Sequence, residues 1–333
     1  MRLEIIITLL NTTNMKNLFL VLVAICSVSL SSAQNLKFGK PSQMDWTMVG
    51  WSEAPDAEAV VLCKTLKTTY ELVGSYSAYD NSTSELSMDN YANSGMNKFI
   101  NEGNTTMTYE VKMRTKILKD SGTGYANIDI VYFDDEKVKA AYDEFKNFSV
   151  VVFKNENGKV KKIKQGKEIF KDERLNENYK VRHVVVPDVK AGDIIEYQYD
   201  LYSKRVTFLY DWQVQEDKIP VMYSLCDMDI PLFLQFNMQV PKHPFVKSKV
   251  EEGLLFLPQE GADLQAPKRC KTNHYTIEVK DMLPRELDLQ RNQDKAQVAQ
   301  VEGTGKIQAR INVPYIEKPV DMPAGKYHIM VNP

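Results

Sequence analysis

The stretch that decides the fold spans Val181–Ser224 and reads VRHVVVPDVKAGDIIEYQYDLYSKRVTFLYDWQVQEDKIPVMYS. It contains a β-branched run, Val184–Val186, that ends at a proline, and a second apolar run, Ile194–Tyr199. The residues between them, Lys190-Ala191-Gly192-Asp193, are typical of a chain reversal. This pattern predicts two strands joined by a turn in which Gly192 adopts a positive φ angle.

Strict alternation of apolar and polar residues predicts further strands. In the second run, Ile195, Tyr197 and Tyr199 share one face, and a charge placed at Ile195 would be costly if that face is the dry one. A longer alternation spans Met107–Ile117, where one face is apolar and the other polar. The apolar set is Met107, Tyr109, Val111, Met113 and Ile117, and the polar set is Thr108, Glu110, Lys112, Arg114 and Lys116. This predicts a strand with one dry face and one face in water.

The same period of two recurs at residues 234–240 and 274–280. The apolar positions there are Leu234, Phe236, Met238 and Val240, and then Tyr275, Ile277 and Val279. Several amphipathic strands separated by turn residues predict an all-β fold. We expect an antiparallel β-sandwich of two packed sheets, with an extended double sandwich as the alternative.

One short helix is expected at Asp135–Asn147, because its apolar residues form a stripe with helical spacing: Val138, Ala141, Tyr142 and Phe145. After it, Asn157-Gly158 predicts a tight hairpin turn between residues 148–153 and 159–164. The stretch Ser75–Asn104 is rich in Ser, Asn, Asp and Gly, and we expect an exposed, partly ordered excursion there.

The first 33 residues predict a cleaved signal peptide. Met15-Lys16-Asn17 starts a positive segment, Leu18–Leu30 is apolar, and Ser31-Ser32-Ala33 is a small-residue cleavage site. Met15 is therefore the expected true start, and the apolar run is too short to span a membrane comfortably. A lipoprotein reading through Cys26 is disfavoured by the bulky Ile25 before it. We expect an exported protein, periplasmic or extracellular, with no membrane span after cleavage.

The mature chain is long enough for one large β domain. We place a β-sandwich domain at residues 34–285, and a linker with the start of a missing or truncated C-terminal region at residues 286–333. There are 42 basic and 44 acidic residues, which gives a formal charge of −2. Because no basic excess is available to neutralise phosphates, nucleic acid is not an expected partner.

One local excess of lysine surrounds the predicted hairpin: Lys154, Lys159, Lys161, Lys162, Lys164 and Lys167. We expect these residues to form a solvated face that deters pairing at a sheet edge. Contact with an anionic surface or a glycan is the alternative.

Three segments resemble a known family when taken in order behind a signal peptide. They are Pro55–Leu62, Arg114–Leu118 and Pro187–Ser224, and the last includes Trp212 and Gln215 and ends with Ile219-Pro220-Val221 and Ser224. In this order the chain is similar, over about residues 55–224, to the bacterial domain of unknown function 3857. The resemblance implies a β-sandwich that precedes a transglutaminase-like, papain-type catalytic domain. Such a domain, or another exported protein, is the implied partner.

The mature chain has three cysteines, Cys63, Cys226 and Cys270, and no CxxC pair. This excludes a dense disulfide scaffold and a zinc knuckle, but one bridge is permitted and its pairing stays open. Cys226 lacks the upstream glycine of a transglutaminase-like nucleophile and precedes no convincing helix. We therefore expect a buried or bridged strand cysteine rather than a catalytic one.

No metal or cofactor site is expected. His183, His243, His274 and His328 stand singly, without HxH or HExxH spacing. The carboxylate groups Asp134-Asp135-Glu136 and Asp227-x-Asp229 lack the pattern of a calcium loop and are expected in solvated turns. Gly122-Thr123-Gly124 lacks the features of a phosphate cradle.

Aromatic residues suggest a further class of function. The chain has 17 Tyr and 3 Trp, and flat rings on an exported β protein can stack on sugars. Such a site would require Trp46, Trp51 and Trp212 to share one exposed face, whereas tyrosines also favour strands without binding sugars.

The sequence thus predicts an exported, non-catalytic β-sandwich module with a positioning, substrate-presenting or protein-interaction role. Two alternatives remain: the N-terminal fragment of a transglutaminase-like cysteine protease or cross-linking enzyme, and a carbohydrate-binding protein. No catalytic, cofactor-binding or metal-ligating residue is predicted, and the oligomeric state stays open.

Overall fold

The structure is a computed structural model that describes residues 37–72, 105–135, 142–206, 208–232, 234, 236–256, 269–288 and 306–311. The predicted signal peptide and the excursion Ser75–Asn104 lie outside these residues, as does most of the predicted linker and C-terminal region at residues 286–333. Within the described part of the chain, no helix is long and apolar enough to cross a bilayer.

The described residues are mostly strands. A short helix, α1 (Gln43–Thr47), precedes them, and two 3₁₀ turns lie at Asp120–Ala126 and Lys167–Ile169. The strands are β1 (Ala59–Leu72), β2 (Thr105–Ile117), β3 (Ile128–Phe133), β4 (Asp143–Glu156), β5 (Lys159–Lys164), β6 (Phe170–Arg174), β7 (Tyr179–Val184), β8 (Ile194–Ser203), β9 (Trp212–Gln213), β10 (Val221–Pro231), β11 (Phe236–Gln239), β12 (Val246–Phe256), β13 (Arg269–Met282) and β14 (Lys306–Ile311).

Eight strands form the main sheet, in the order β12-β13-β10-β1-β2-β8-β4-β5. Two three-stranded sheets accompany it, with the orders β3-β7-β6 and β11-β14-β9. The all-β prediction is therefore confirmed. The main sheet is mixed rather than wholly antiparallel, because β1 and β10 run parallel, with Val61 opposite Val221 and Thr68 opposite Met228.

The principal core lies between one face of the main sheet and the smaller sheets. Ile195, Tyr197 and Tyr199 share one face, as the sequence indicates; they are fully buried there and pack in one cluster with Ile130 of β3 and Val184 of β7. Aromatic rings join the two layers, since Tyr132 of β3 meets Phe145 of β4 with ring centroids 5.0 Å apart.

The turn before β8 has the predicted geometry. Gly192 has φ +89°, and its amide donates to the carbonyl of Ile117 at 2.8 Å. The Asp193 carboxylate closes the turn by accepting from the Lys190 amide at 2.9 Å.

The prediction for β2 is confirmed for its apolar face and wrong for part of its polar face. The apolar set is buried, but Arg114 and Lys116 of the polar set are only 2% and 3% exposed. Both lie beneath the segment that contains α1, whose backbone and Asp45 side chain they contact. Alternation alone cannot reveal such a cover, because it comes from a segment about 70 residues away in sequence.

The helix predicted at Asp135–Asn147 is wrong at its C-terminal half. Residues from Asp143 onward form β4, which pairs with β8 and carries a register shift between Lys146 and Ser149. Asn147 adopts φ +52° at this irregularity. The helical spacing of Tyr142 and Phe145 was therefore a coincidence, and residues 136–141 lie outside the described part of the chain.

The hairpin between β4 and β5 is confirmed. Asn157 and Gly158 have φ +54° and +82°, the left-handed values that a two-residue turn between twisted strands requires. The Gly158 amide donates to Asn155 Oδ1 at 3.0 Å. Strand β5 is the last strand of the main sheet on its side, so its lysines occupy the sheet edge as predicted.

Candidate functional site

The most chemically organised exposed group on the main sheet is a histidine network across β10 and β13. Register pairs Asp229 with His274 and Asp227 with Thr276, although these strands lie about 45 residues apart. His274 Nδ1 lies 2.9 Å from Asp229 Oδ1, and His274 Nε2 lies 3.2 Å from Thr276 Oγ1. Asp227 Oδ1 lies 3.5 Å from the same Nε2. About a third of each of the three ionisable side chains is exposed.

The order carboxylate, imidazole, hydroxyl resembles the arrangement that activates a nucleophilic oxygen, but the second carboxylate changes its chemistry. A general base needs an Nε2 that accepts the hydroxyl proton. Here a carboxylate oxygen lies near each ring nitrogen, Asp229 Oδ1 at 2.9 Å from Nδ1 and Asp227 Oδ1 at 3.5 Å from Nε2. The network thus joins polar side chains of β10 and β13 into one patch. Asp227 and Asp229 lie within a strand, so the predicted solvated turn is wrong for this pair.

A buried ionic group lies on the other half of the same sheet. Arg114 Nε donates to Glu196 Oε1 at 2.8 Å, and its Nη1 donates to Asp45 Oδ2 at 2.9 Å. Lys116 Nζ donates to the carbonyls of Asp45 and Trp46 at 2.7 and 2.8 Å. Burial lowers the pKa of Lys116, and the nearby Asp45 carboxylate partly opposes this. The group fixes α1 onto the sheet.

Helix α1 is itself held by a capping box. The Asp45 amide donates to Ser42 Oγ at 3.2 Å, and the Ser42 amide donates to Asp45 Oδ2 at 2.7 Å. Asp45 thus caps its own helix and pairs with Arg114 at once. The Ser-x-x-Asp pattern at Ser42–Asp45 was a visible signal for this helix that sequence reasoning missed.

A second buried carboxylate lies in the core at the start of β4. Asp143 Oδ2 accepts hydrogen bonds from the Phe133 amide at 2.9 Å and from the Tyr210 hydroxyl. Burial raises the pKa of Asp143, and hydrogen bonds from Ser203, Tyr210 and the Phe133 amide oppose the rise only in part. This carboxyl group binds its own scaffold and leaves no face toward solvent.

The structure describes the side chains of two cysteines, Cys63 and Cys226, and both are buried thiols without a disulfide bond. Cys226 lies in β10, and burial raises its pKa well above the ordinary value. Cys63 lies in β1, and burial raises its pKa to about 12 in spite of the nearby Arg114 guanidinium. The prediction of a buried strand cysteine at Cys226 is confirmed. The side chain of Cys270 lies outside the described residues.

The other histidines are separate from each other. His183 Nδ1 lies 2.8 Å from Asp129 Oδ1, and His243 Nε2 lies 3.2 Å from Asp288 Oδ2. His328 lies outside the described residues. Across the described part of the chain, no three His, Cys, Asp or Glu side chains are grouped so that they could hold a metal ion.

The remaining motifs have structural contacts. Asp134 pairs with Arg174 Nη2 at 3.0 Å and with Lys180. Gly122 packs so closely on the chain that an added Cβ would lie 2.3 Å from the Glu58 carbonyl oxygen, which explains the glycine without a phosphate. Lys154 differs from the other hairpin lysines because it donates to Asp193 Oδ2 at 2.7 Å.

The three tryptophans do not form one exposed face. Trp212 is 2% exposed in the principal core, and its Nε1 donates to Ser224 Oγ at 3.1 Å. Trp46 and Trp51 are partly buried against a different cluster that contains Val60 and Phe153. The shared face that sugar stacking would require is therefore missing for these three residues.

The residues that carried the family resemblance are tied to the scaffold. Gln215 Nε2 donates to the Leu283 carbonyl at 3.0 Å, next to the bond between Trp212 and Ser224. Residues 103–308 match the family described as a domain of unknown function with a solved structure, DUF3857. The chain belongs to this family. The match starts and ends later than the resemblance seen at residues 55–224, and it reaches into β14.

No curated protein matches the chain. Among solved structures, a "putative protease" from Parabacteroides distasonis ATCC 8503 is similar at 13% identity and a TM-score of 0.43, over 68% of this chain and 36% of that one. A two-domain M1 zinc metallopeptidase variant bound to L-arginine is similar at 8% identity and a TM-score of 0.24, over 68% of this chain and 44% of that one. The chain thus spans less than half of either protein, and likenesses this low say nothing of its activity.

Proposed function

We propose that this DUF3857 chain is an exported, non-catalytic β module that positions or presents a partner, most simply a transglutaminase-like domain. The observation that carries the proposal is that the residues of the family resemblance are buried and bonded to the scaffold. Trp212, Gln215 and Ser224 are at most 4% exposed and bond to their own scaffold. A catalytic or ligand-binding motif would be expected to keep polar atoms directed at a substrate.

The thiol chemistry supports the same proposal. A papain-type enzyme needs a thiolate, and thiolates form where the pKa is lowered by a helix N-terminus or a nearby cation. Cys63 and Cys226 lie instead in sheet strands, and burial raises the pKa of both. At neutral pH each therefore stays a thiol.

The surface left open on the main sheet supports a role in contact. Beyond the area that α1 covers, exposed or half-exposed charges of both signs alternate across neighbouring strands. Asp227 of β10 is next to Lys67 of β1, which is next to Glu110 of β2. Such a mixed, solvated face suits a polar protein contact better than burial of an apolar ligand.

The catalytic half of the proposal is tested by assaying the purified chain for peptide hydrolysis and for incorporation of a fluorescent amine into a glutamine-containing protein. We expect neither activity. Turnover that disappears in Cys226→Ala, while the urea midpoint stays near that of the parent, would show instead that the chain belongs to a cysteine enzyme.

The partner half requires a transglutaminase-like domain from the same genome, expressed alone and together with this chain. We expect the chain to bind it and to change its Tm or its kcat/KM. Trp212→Ala removes a buried side chain of the scaffold and should weaken the change in Tm or kcat/KM. The control is Lys167→Ala on the exposed surface, which should leave that change as it is in the parent. If the domain behaves identically with and without the chain, the partner proposal is wrong.

A further inference from the structure

The two edges of the main sheet differ in their charge. Strand β5 ends the sheet on one side, and it carries Lys159, Lys161, Lys162 and Lys164. Two such strands placed side by side would bring like charges together, which is a recognised way to block edge pairing. This edge is protected by its own sequence.

Strand β12 ends the sheet on the other side, and its charges are of both signs rather than of one. It pairs with β13 at eleven successive positions, from Val246 opposite Val279 to Phe256 opposite Arg269. Among the described strands, none pairs with its outer side. Its side chains include Val250 and Leu254, which are 54% and 48% exposed although both are large and apolar.

The charges of β12 are divided along its length. Lys247 and Lys249 precede Val250, and Glu251 and Glu252 follow it. Reversing the direction of such a strand therefore places its negative half beside the positive half of an unreversed copy. A strand of this kind is complementary to itself in the antiparallel direction.

We infer that β12 pairs with β12 of a second copy of this chain, antiparallel about a two-fold axis at Val250, and so joins two main sheets into one. In this register Val250 lies opposite Val250 of the partner subunit. Lys249 lies opposite Glu251 of the partner subunit, and Val246 lies opposite Leu254 of the partner subunit. Because the axis repeats each contact, the ion pair of Lys249 with Glu251 and the contact of Val246 with Leu254 each form twice, and the Val250 pair forms once on the axis.

The charges also select this register over its neighbours. Opposed side chains of antiparallel strands point to the same face, so the two-fold axis must pass between a residue and its own copy. An axis at Lys249 would place two lysines face to face, and an axis at Glu251 would place two glutamates face to face. An axis at Lys249 would also oppose Lys247 and Glu251, but only the axis at Val250 opposes unlike charges without setting like charges against each other and keeps the apolar residues opposed.

The required side chains are already on the surface. Lys249 Nζ lies 2.6 Å from Glu251 Oε1 within the strand, and these side chains are 66% and 52% exposed. In the dimer, Lys249 and Glu251 of the two subunits would form a group of four alternating charges on the face of the joined sheet opposite to the Val250 pair. This inference concerns self-association and does not depend on the function proposed above.

The test uses charge reversal and mixing, followed by sedimentation velocity of the purified chain. We expect the parent to be a dimer. Lys249→Glu sets two pairs of glutamates against each other, and Glu251→Lys sets two pairs of lysines against each other. Each variant alone should therefore raise the dimer dissociation constant by about tenfold or more. An equimolar mixture of the two variants should restore dimers, because every opposed pair is again of opposite charge.

The matched control is Lys161→Glu, which makes the same change of charge on the β5 edge and should leave the dimer intact. All three sites are exposed, and equal urea midpoints would show that each variant is folded. A monomeric parent, or a dimer that both single reversals leave unchanged, would overturn the inference. So would a mixture that stays monomeric, since complementary charges are its basis.

Discussion

At the scale of single residues, Gly192 shows how one backbone angle fixes a turn. Its φ of +89° lies in the left-handed region, and no heavy atom lies within 4 Å of the position that a Cβ would take. The cost of Gly192→Ala should therefore come from the backbone alone, at about 1–2 kcal/mol of unfolding free energy. Gly124→Ala is the control, because Gly124 also has open space around it but no positive φ. The measurement is urea unfolding of both variants. Equal midpoints for Gly192→Ala and Gly124→Ala would contradict this role of Gly192.

Asp134 and Asp143 lie on either side of residues 136–141, and their contributions to folding stability should change with pH in opposite directions. Burial raises the pKa of Asp143, so its favourable contribution is complete below the unfolded pKa and is lost as pH rises through the folded pKa. Burial alone would also raise the pKa of Asp134, but hydrogen bonds from Lys180 and Arg174 outweigh it and lower the pKa. Its contribution is therefore present above the unfolded pKa and is lost as pH falls through the folded pKa.

The measurement compares Asp143→Asn and Asp134→Asn with the parent by urea unfolding between pH 3 and pH 8. Above about pH 4, near the pKa of an unfolded aspartate, the parent should lose stability relative to Asp143→Asn. Relative to Asp134→Asn, it should instead lose stability as pH falls below that value. Two difference curves with the same sign of slope would show that one of these environments is misassigned.

At the scale of elements, the attachment of α1 depends on a charge that the sheet buries. Arg114→Met would leave Asp45 and Glu196 buried without their guanidinium, and removing one partner of a buried pair costs about 3–5 kcal/mol. Lys112→Met is the matched control on the same face of β2, because Lys112 pairs only at the surface and should change stability by less than about 0.5 kcal/mol. Equal unfolding midpoints for the two variants would mean that the Arg114 group does not hold α1.

Elements also show where sequence reasoning succeeds. The period of two in β2, β8 and β13 was enough to place those strands and their dry faces, because alternation reports burial on one side directly. It failed on the other side of β2, where Arg114 and Lys116 are covered by a distant segment. The helical pattern failed at Phe145, because there a bulged strand happens to match helical spacing.

The histidine network was beyond prediction for a different reason. His274 and Asp229 lie 45 residues apart, and only the register of β10 against β13 places them 2.9 Å from each other. A sequence read one strand at a time shows His274 as a single polar residue on a wet face. Pairing register is a long-range property, so sites built across strands are hidden from local patterns.

At the scale of the whole molecule, the family match and the scaffold bonds of the family residues explain why the fold was readable and the function was not. Residues such as Trp212, Gln215 and Gly192 specify packing and turns, and packing leaves strong local patterns. A contact surface leaves weaker ones, because charges of both signs on a solvated sheet look the same whether or not a partner covers them.

Export concerns the chain as a whole, because the compartment sets the redox and ionic environment of its thiols and surface charges. The order of a positive segment at Met15-Lys16-Asn17, an apolar run at Leu18–Leu30 and small residues at Ser31-Ser32-Ala33 predicts cleavage after Ala33. Expression of the chain with residues 1–33 attached in a bacterium should release protein whose N-terminal residue is Gln34 by intact mass, with or without cyclisation of that residue. Ala33→Tyr is the control, because a bulky side chain at the cleavage position should leave uncleaved chain in the membrane fraction. A parent that keeps Leu18–Leu30, or that stays in the cytoplasm, would contradict export and would also remove the compartment in which the proposed partner domain is expected.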